Sequence, residues 1–97
     1  MRANHHIYNL ELTLADTEYS QALSEHVKYF SIKSRSPTCD LRFSSVEGET
    51  GEAGPYKSIF GPSEWNSGPP DLQTPSARTI YIRGTEAGTV VEIEEWT

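Results

Sequence analysis

Only one cysteine, Cys39, occurs in the 97 residues, so no internal disulfide, paired-thiol redox motif or sulfur-rich zinc site can form. Synthesis in an intracellular, reducing compartment is the expectation that follows. Long apolar runs are missing as well. The opening Met1-Arg-Ala-Asn-His-His-Ile-Tyr8 has no hydrophobic leader, and no stretch is long enough to cross a bilayer as a helix, so neither export by a signal peptide nor membrane insertion is expected. Positive charge is scarce. Eight Lys and Arg against fourteen Asp and Glu give a net charge of −6, which opposes binding to nucleic-acid phosphates. Apolar residues make up only 35%, enough for one domain with a thin core that would gain from contact with neighbours.

What is present is β-branched and aromatic residue types in short runs. Tyr8-Asn-Leu-Glu-Leu-Thr-Leu14 alternates strictly, placing Tyr8, Leu10, Leu12 and Leu14 on one face of a strand. After a polar turn at Ala15 to Glu18, Tyr19 to Leu23 reads as a second strand, with a short helix capped by Asp16 or Thr17 as the rival. In Val27 to Arg35, Val27 and Tyr29 fall on the opposite parity from Phe30 and Ile32, which requires a bulge or burial on both faces. Pro37 interrupts, and Cys39 to Ser45 resumes with Leu41 and Phe43 on one side. The acidic, glycine-rich segment Val46 to Pro55 reads as a mobile loop. Tyr56 to Phe60 forms a short strand. Gly61 to Asp71 carries too much proline and glycine for a regular element, and Trp65 is its expected anchor.

Thr79 to Gly84 and Gly88 to Trp96 read as two strands of a β-hairpin, turned at Gly84 and Gly88 with Thr85, Glu86 and Ala87 at the tip. A terminus ending in a strand suggests a complete small domain. Ile80 and Ile82 are expected to pair with Val91 and Ile93 on the buried face, leaving Tyr81, Arg83, Glu92 and Glu94 outward. Val90 and Trp96 share the outward parity, so either a bulge re-aims them or a second surface, such as a partner, covers them. Six or seven strands without a credible long helix predict an all-β fold. The expected architecture is a single small antiparallel β-sandwich or jelly roll over residues 7–97, preceded by a flexible arm at residues 1–6.

Chemistry-bearing groups are sparse. The adjacent His5 and His6 would point to opposite faces of a strand, so a metal site is not expected. Glu92, Glu94 and Glu95 read as a solvated face. Glu47, Glu49 and Glu52 lack the spacing of a calcium-binding EF-hand. Gly61-Pro-Ser-Glu-Trp65 is not a nucleophile elbow, and Cys39 beside Asp40 reads as a buried or incidental thiol. No catalytic residue, metal or cofactor is therefore assigned. The aromatics Tyr56, Trp65, Tyr81 and Trp96 remain, as a small core, a sugar-stacking platform or an interface hot spot.

In order, Thr17-Glu-Tyr-Ser-Gln-Ala-Leu23, Val27-Lys-Tyr-Phe-Ser-Ile-Lys-Ser-Arg35 and Thr79-Ile-Tyr-Ile-Arg-Gly-Thr-Glu-Ala-Gly-Thr-Val-Val-Glu-Ile-Glu-Glu-Trp96 resemble small virion proteins of tailed bacteriophages. The resemblance runs from Thr17 onward and lies in strand sequences, with no catalytic signature. It implies a non-enzymatic decoration or cement protein on the capsid surface, made in the host cytoplasm. Its partners would be the major capsid protein and further copies of itself, as a homotrimer. The expected contact residues are Tyr56, Phe60, Trp65 and Asn66 on or beside the long loop, with the arm Arg2 to His6, including His5 and His6. A carbohydrate-binding or tail-adhesin module is the alternative. A small cupin-like enzyme comes third and would need histidines clustered inside a barrel.

Overall fold

The computed structural model describes residues 5–25, 27, 29–51, 54–61, 63–66 and 79–97. These residues include eight strands: β1 (His5–Leu12), β2 (Tyr19–Ala22), β3 (Tyr29–Ser34), β4 (Leu41–Ser44), β5 (Lys57–Ile59), β6 (Glu64–Asn66), β7 (Thr79–Gly84) and β8 (Thr89–Trp96). They form two four-stranded sheets, sheet A in the order β1-β8-β3-β6 and sheet B in the order β2-β7-β4-β5. Every pairing is antiparallel. Strand 1 pairs with 8, 2 with 7, 3 with 6 and 4 with 5, so the chain is one long two-ply ribbon rolled up on itself. That winding is the jelly roll, and the fold is the all-β sandwich that the strand patterning predicts.

Alternation of side chains fills the space between the sheets. Leu12, Ile32, Val91 and Ile93 of sheet A meet Leu41, Phe43, Ile80 and Ile82 of sheet B, with Cys39 and Ile59 at the margins. Each of these positions removes an aliphatic or aromatic side chain from water, and a buried side chain of this size contributes about 1.5–3 kcal/mol. Val27, outside any strand, also turns inward, its N–H bonded to the carbonyl of Ser24. That bend, which places Val27 before β3 begins, resolves the parity conflict with Phe30 and Ile32. Tyr19 to Ala22 is a strand and not a helix.

Four expectations are corrected. The C-terminal pair is not a hairpin: β7 lies in sheet B and β8 in sheet A. The four residues between them cross from one sheet to the other, and backbone groups there and at the end of β7 bond to distant parts of the chain. Gly84 O accepts from Asp16 N, Thr85 N donates to Asp40 O, and Gly88 N donates to Leu12 O. Gly84 is needed for closeness, because a Cβ there would lie 2.6 Å from Leu12 Cδ1 and 3.0 Å from Cys39 Sγ. Gly88 is needed for its φ of +78°.

Two residues expected in the flexible arm lie in a strand instead, since His5 and His6 belong to β1 and pair with Trp96 and Glu95, while residues 1–4 lie outside the described residues. The proline-rich segment contains a strand after all, β6, because Glu64, Trp65 and Asn66 find a free edge on β3. The acidic loop is tethered. Glu18 accepts from the N–H of Gly48 at 2.9 Å and of Thr50 at 3.3 Å, and from the Thr50 hydroxyl at 2.5 Å. Leu72 to Ala77 and most of the segment from Gly61 to Asp71 lie outside the described residues.

Candidate functional site

Sheet A presents an aromatic row on its outer face. His5 on β1, Trp96 on β8 and Tyr29 on β3 are neighbours in register across three strands. Their rings stack nearly parallel, His5 on Trp96 at 4.7 Å and Tyr29 on Trp96 at 4.4 Å between centroids. Trp96 is thus covered from both sides by its own chain, which answers the question its outward parity raises. His5 Nε2 also bonds Glu94 Oε2 at 2.9 Å. The adjacent row carries Ile7, Glu94, Ser31 and Asn66. Ile7 is 58% exposed, an apolar side chain held open beside the stacked rings.

Behind this row Glu95 turns inward. Strict alternation on β8 sends it to the side of Ile93, and it is fully buried, not part of a solvated face. Its carboxylate accepts from the Tyr8 hydroxyl and, at 2.9 Å, from Ser24 N, while His6 Nδ1 lies 3.6 Å away. The hydrogen bond to Glu95, burial and the carboxylate's charge all hold the proton on Tyr8, pushing its pKa up to about 12.

Sheet B carries a different surface. A cleft of about 280 Å³ opens on its outer face, lined by Asp40 and Arg42 before and on β4, Tyr56, Ser58 and Phe60 around β5, and Arg83 on β7. Arg42 and Arg83 are direct register partners on neighbouring strands. The Arg42 guanidinium sits over the Tyr56 ring, 4.5 Å from its centroid, and Nη1 donates to Thr50 O at 3.4 Å. Arg83 donates through Nε to Thr50 Oγ1 at 3.4 Å and through Nη1 to the Asp16 carbonyl.

Among the described residues the ion pairs are His5 with Glu94, His6 with Glu95 and Arg35 with Glu92, so neither cleft arginine has a carboxylate within 4.0 Å. Glu18 interacts with Arg83 through its charge without a direct ion pair. Burial pushes its carboxyl upward, but the Thr50 hydroxyl, the N–H groups of Gly48 and Thr50 and the charge of Arg83 outweigh it and leave the pKa below the ordinary value. Asp40 accepts from Gly61 N at 3.2 Å through Oδ1, and its N–H donates to Thr85 Oγ1 at 3.1 Å. Phe60 is 64% exposed at the rim.

The expected contact residues do not form one patch. Tyr56 and Phe60 meet at the cleft on sheet B. His5 and Asn66 belong to the outer face of sheet A, and His6 stands at the rim of the interior beside Glu95. Trp65 is half-buried, its ring tilted against Phe43 at 4.5 Å and Phe30 at 5.4 Å, and packs on the core. Arg2 lies outside the described residues. Sequence reasoning missed Arg42, Asp40 and Glu95. For Glu95 the signal was in the chain, in its parity with Ile93. For Arg42 and Arg83 it was not, since only the winding of the ribbon brings them together. Among the described residues no three His, Cys, Asp or Glu side chains cluster to hold a metal ion. Comparison with protein-family models, with curated proteins and with solved structures returns no match.

Proposed function

We propose that the protein is a non-enzymatic virion component that decorates a phage capsid, bridging major capsid subunits as a homotrimer and stabilising the head. The observation that carries this reading is the outer face of sheet A. A row of three rings stacked on one another beside the open Ile7 side chain has the composition of an interface hot spot, aromatic at its centre and held in place by its own stacking. The jelly roll supports it as well, being an architecture that viral capsid domains use. A thin-cored domain acting in many copies raises the free energy needed to separate the subunits it bridges.

The test is to add purified protein to heads that lack it and follow attachment and resistance to heat. Ile7→Asp changes an exposed side chain, so the domain should melt as before while attachment falls. Heads that neither bind the wild-type protein nor gain heat resistance would refute the proposal, as would attachment unaffected by Ile7→Asp.

A second reading, a carbohydrate-binding module, is favoured by the cleft on sheet B. There Tyr56 and Phe60 accompany side chains able to donate to and accept from sugar hydroxyls.

A further inference from the structure

Arg42 and Arg83 face each other across β4 and β7, and like charges in direct cross-strand register destabilise a sheet. The usual remedy is a carboxylate between them. Here the guanidinium groups bond two backbone carbonyls, a hydroxyl and an aromatic face, and no carboxylate lies in ion-pair range of either among the described residues. This occurs in a chain of net charge −6, where acidic side chains are plentiful. The pair is therefore oriented by neutral hydrogen-bonding partners, with Glu18 acting on Arg83 through its charge and not through a direct ion pair, and it presents positive charge at the wall of a cleft. Arginine forks held in that way suit a ligand carboxylate, which they bind with geometric as well as electrostatic selectivity.

The rest of the lining narrows the class. Asp16 and Asp40 also line the cleft and would repel a multiply charged anion such as phosphate. With Ser58 and Thr85 they supply acceptors and donors suited to hydroxyl groups. Phe60, 64% exposed, offers an apolar ring against which a pyranose face can stack. At about 280 Å³ the cleft lies at the lower bound of small-molecule sites, room for one sugar ring and not for a folded peptide. An acidic peptide would in addition meet the repulsion of the whole chain. We infer that the sheet B cleft binds one acidic sugar residue, a pyranose bearing a single carboxylate, with Arg42 and Arg83 on the carboxylate and Phe60 beneath the ring. This deepens the carbohydrate-binding reading and rests on it. The cleft is on the opposite sheet from the aromatic row, so the two surfaces can be tested separately.

Titration calorimetry of the intact chain with trigalacturonate and 3′-sialyllactose as acidic probes, lactose and maltotriose as neutral ones, and inorganic phosphate and a hexaglutamate peptide as charge controls provides the test. The acidic sugars should bind at least about tenfold more tightly than the neutral ones, and Arg42→Gln should erase that difference. Phe60→Ala, which removes an exposed ring without touching the core, should weaken both sugar classes. Raising salt from about 0.05 M to about 0.5 M should weaken the acidic sugars alone, a readout that survives if Arg42→Gln does not fold. Equal binding of neutral and acidic sugars would overturn the inference while leaving a carbohydrate module standing; absence of all sugar binding would overturn both. Binding of phosphate or peptide in preference to the acidic sugars would overturn the assignment of ligand class.

Discussion

Glu95 is a carboxylate with no exposure to solvent, and its interior position is tolerable only because donors surround it. The Tyr8 hydroxyl is one of them. Tyr8→Phe removes that oxygen and little else, since the ring stays on the inner rim where it packs against the core. A hydrogen bond to a charged group contributes about 1.5–3 kcal/mol, so the variant should lose about 2 kcal/mol at neutral pH. In a domain of this size that lowers the melting temperature by roughly 8–16 °C. The informative experiment is a double-mutant cycle, with stability read from urea unfolding of the wild type, Tyr8→Phe, Glu95→Leu and the double variant. In the Glu95→Leu background no carboxylate remains to be stranded, and Tyr8→Phe should cost well under half as much as it does in the wild type. A coupling below about 0.5 kcal/mol would show that Tyr8 is not what satisfies Glu95, and the account of the buried end of β8 would fall with it.

Alkaline unfolding tests the same contact from the other side. Tyr8 is held protonated to about 12, above its ordinary value of 10.0, so its contribution is intact below pH 10 and is lost as pH rises from there toward 12; Tyr8→Phe should flatten that part of the stability curve, and an unchanged slope would refute the assignment. Glu18 titrates below its ordinary value, so the tether of the Val46 to Pro55 loop should hold above pH 4.5 and loosen as pH falls, seen as faster amide exchange at Gly48 and Thr50; equal exchange in Glu18→Gln at neutral pH would refute the tether. Trp65→Ala should destabilise the domain by about 2–4 kcal/mol because the ring packs on Phe30 and Phe43, and unaltered urea unfolding would place the ring outside the core. Gly88→Val, forcing a β-branched residue to φ +78°, should cost at least about 1–2 kcal/mol in the same assay; a neutral result would mean that the turn can adopt another conformation.

The face on which each side chain lies was legible in the sequence, and the strand it pairs with was not. Ile80, Ile82, Val91 and Ile93 alternate with Tyr81, Arg83, Glu92 and Glu94, and all four aliphatic residues are buried as expected. A two-residue period, however, fits a neighbour in the same sheet and a neighbour across the sandwich equally well. What separates β7 from β8 is where the connecting backbone finds its partners, at Leu12, Asp16 and Asp40, all distant in sequence. Trp65 was misplaced for a related reason. Proline and glycine around it describe the loop's own preferences, whereas β6 exists because the edge of β3 offers it a ladder. The cleft was the least legible part, since Arg42 and Arg83 stand 41 positions apart and become neighbours only once β4 and β7 pair.

The rolled ribbon sets a timetable for the molecule's birth. His5 bonds Glu94 across a separation of 89 residues, and among the described strands β1 pairs with β8 alone. On a translating ribosome β1 must therefore wait, solvated and unmatched, until β8 has emerged. Such distant partnerships make folding slow and leave early chains open to mispairing with one another, so a growing population of nascent copies would benefit from chaperone shelter until β8 closes sheet A.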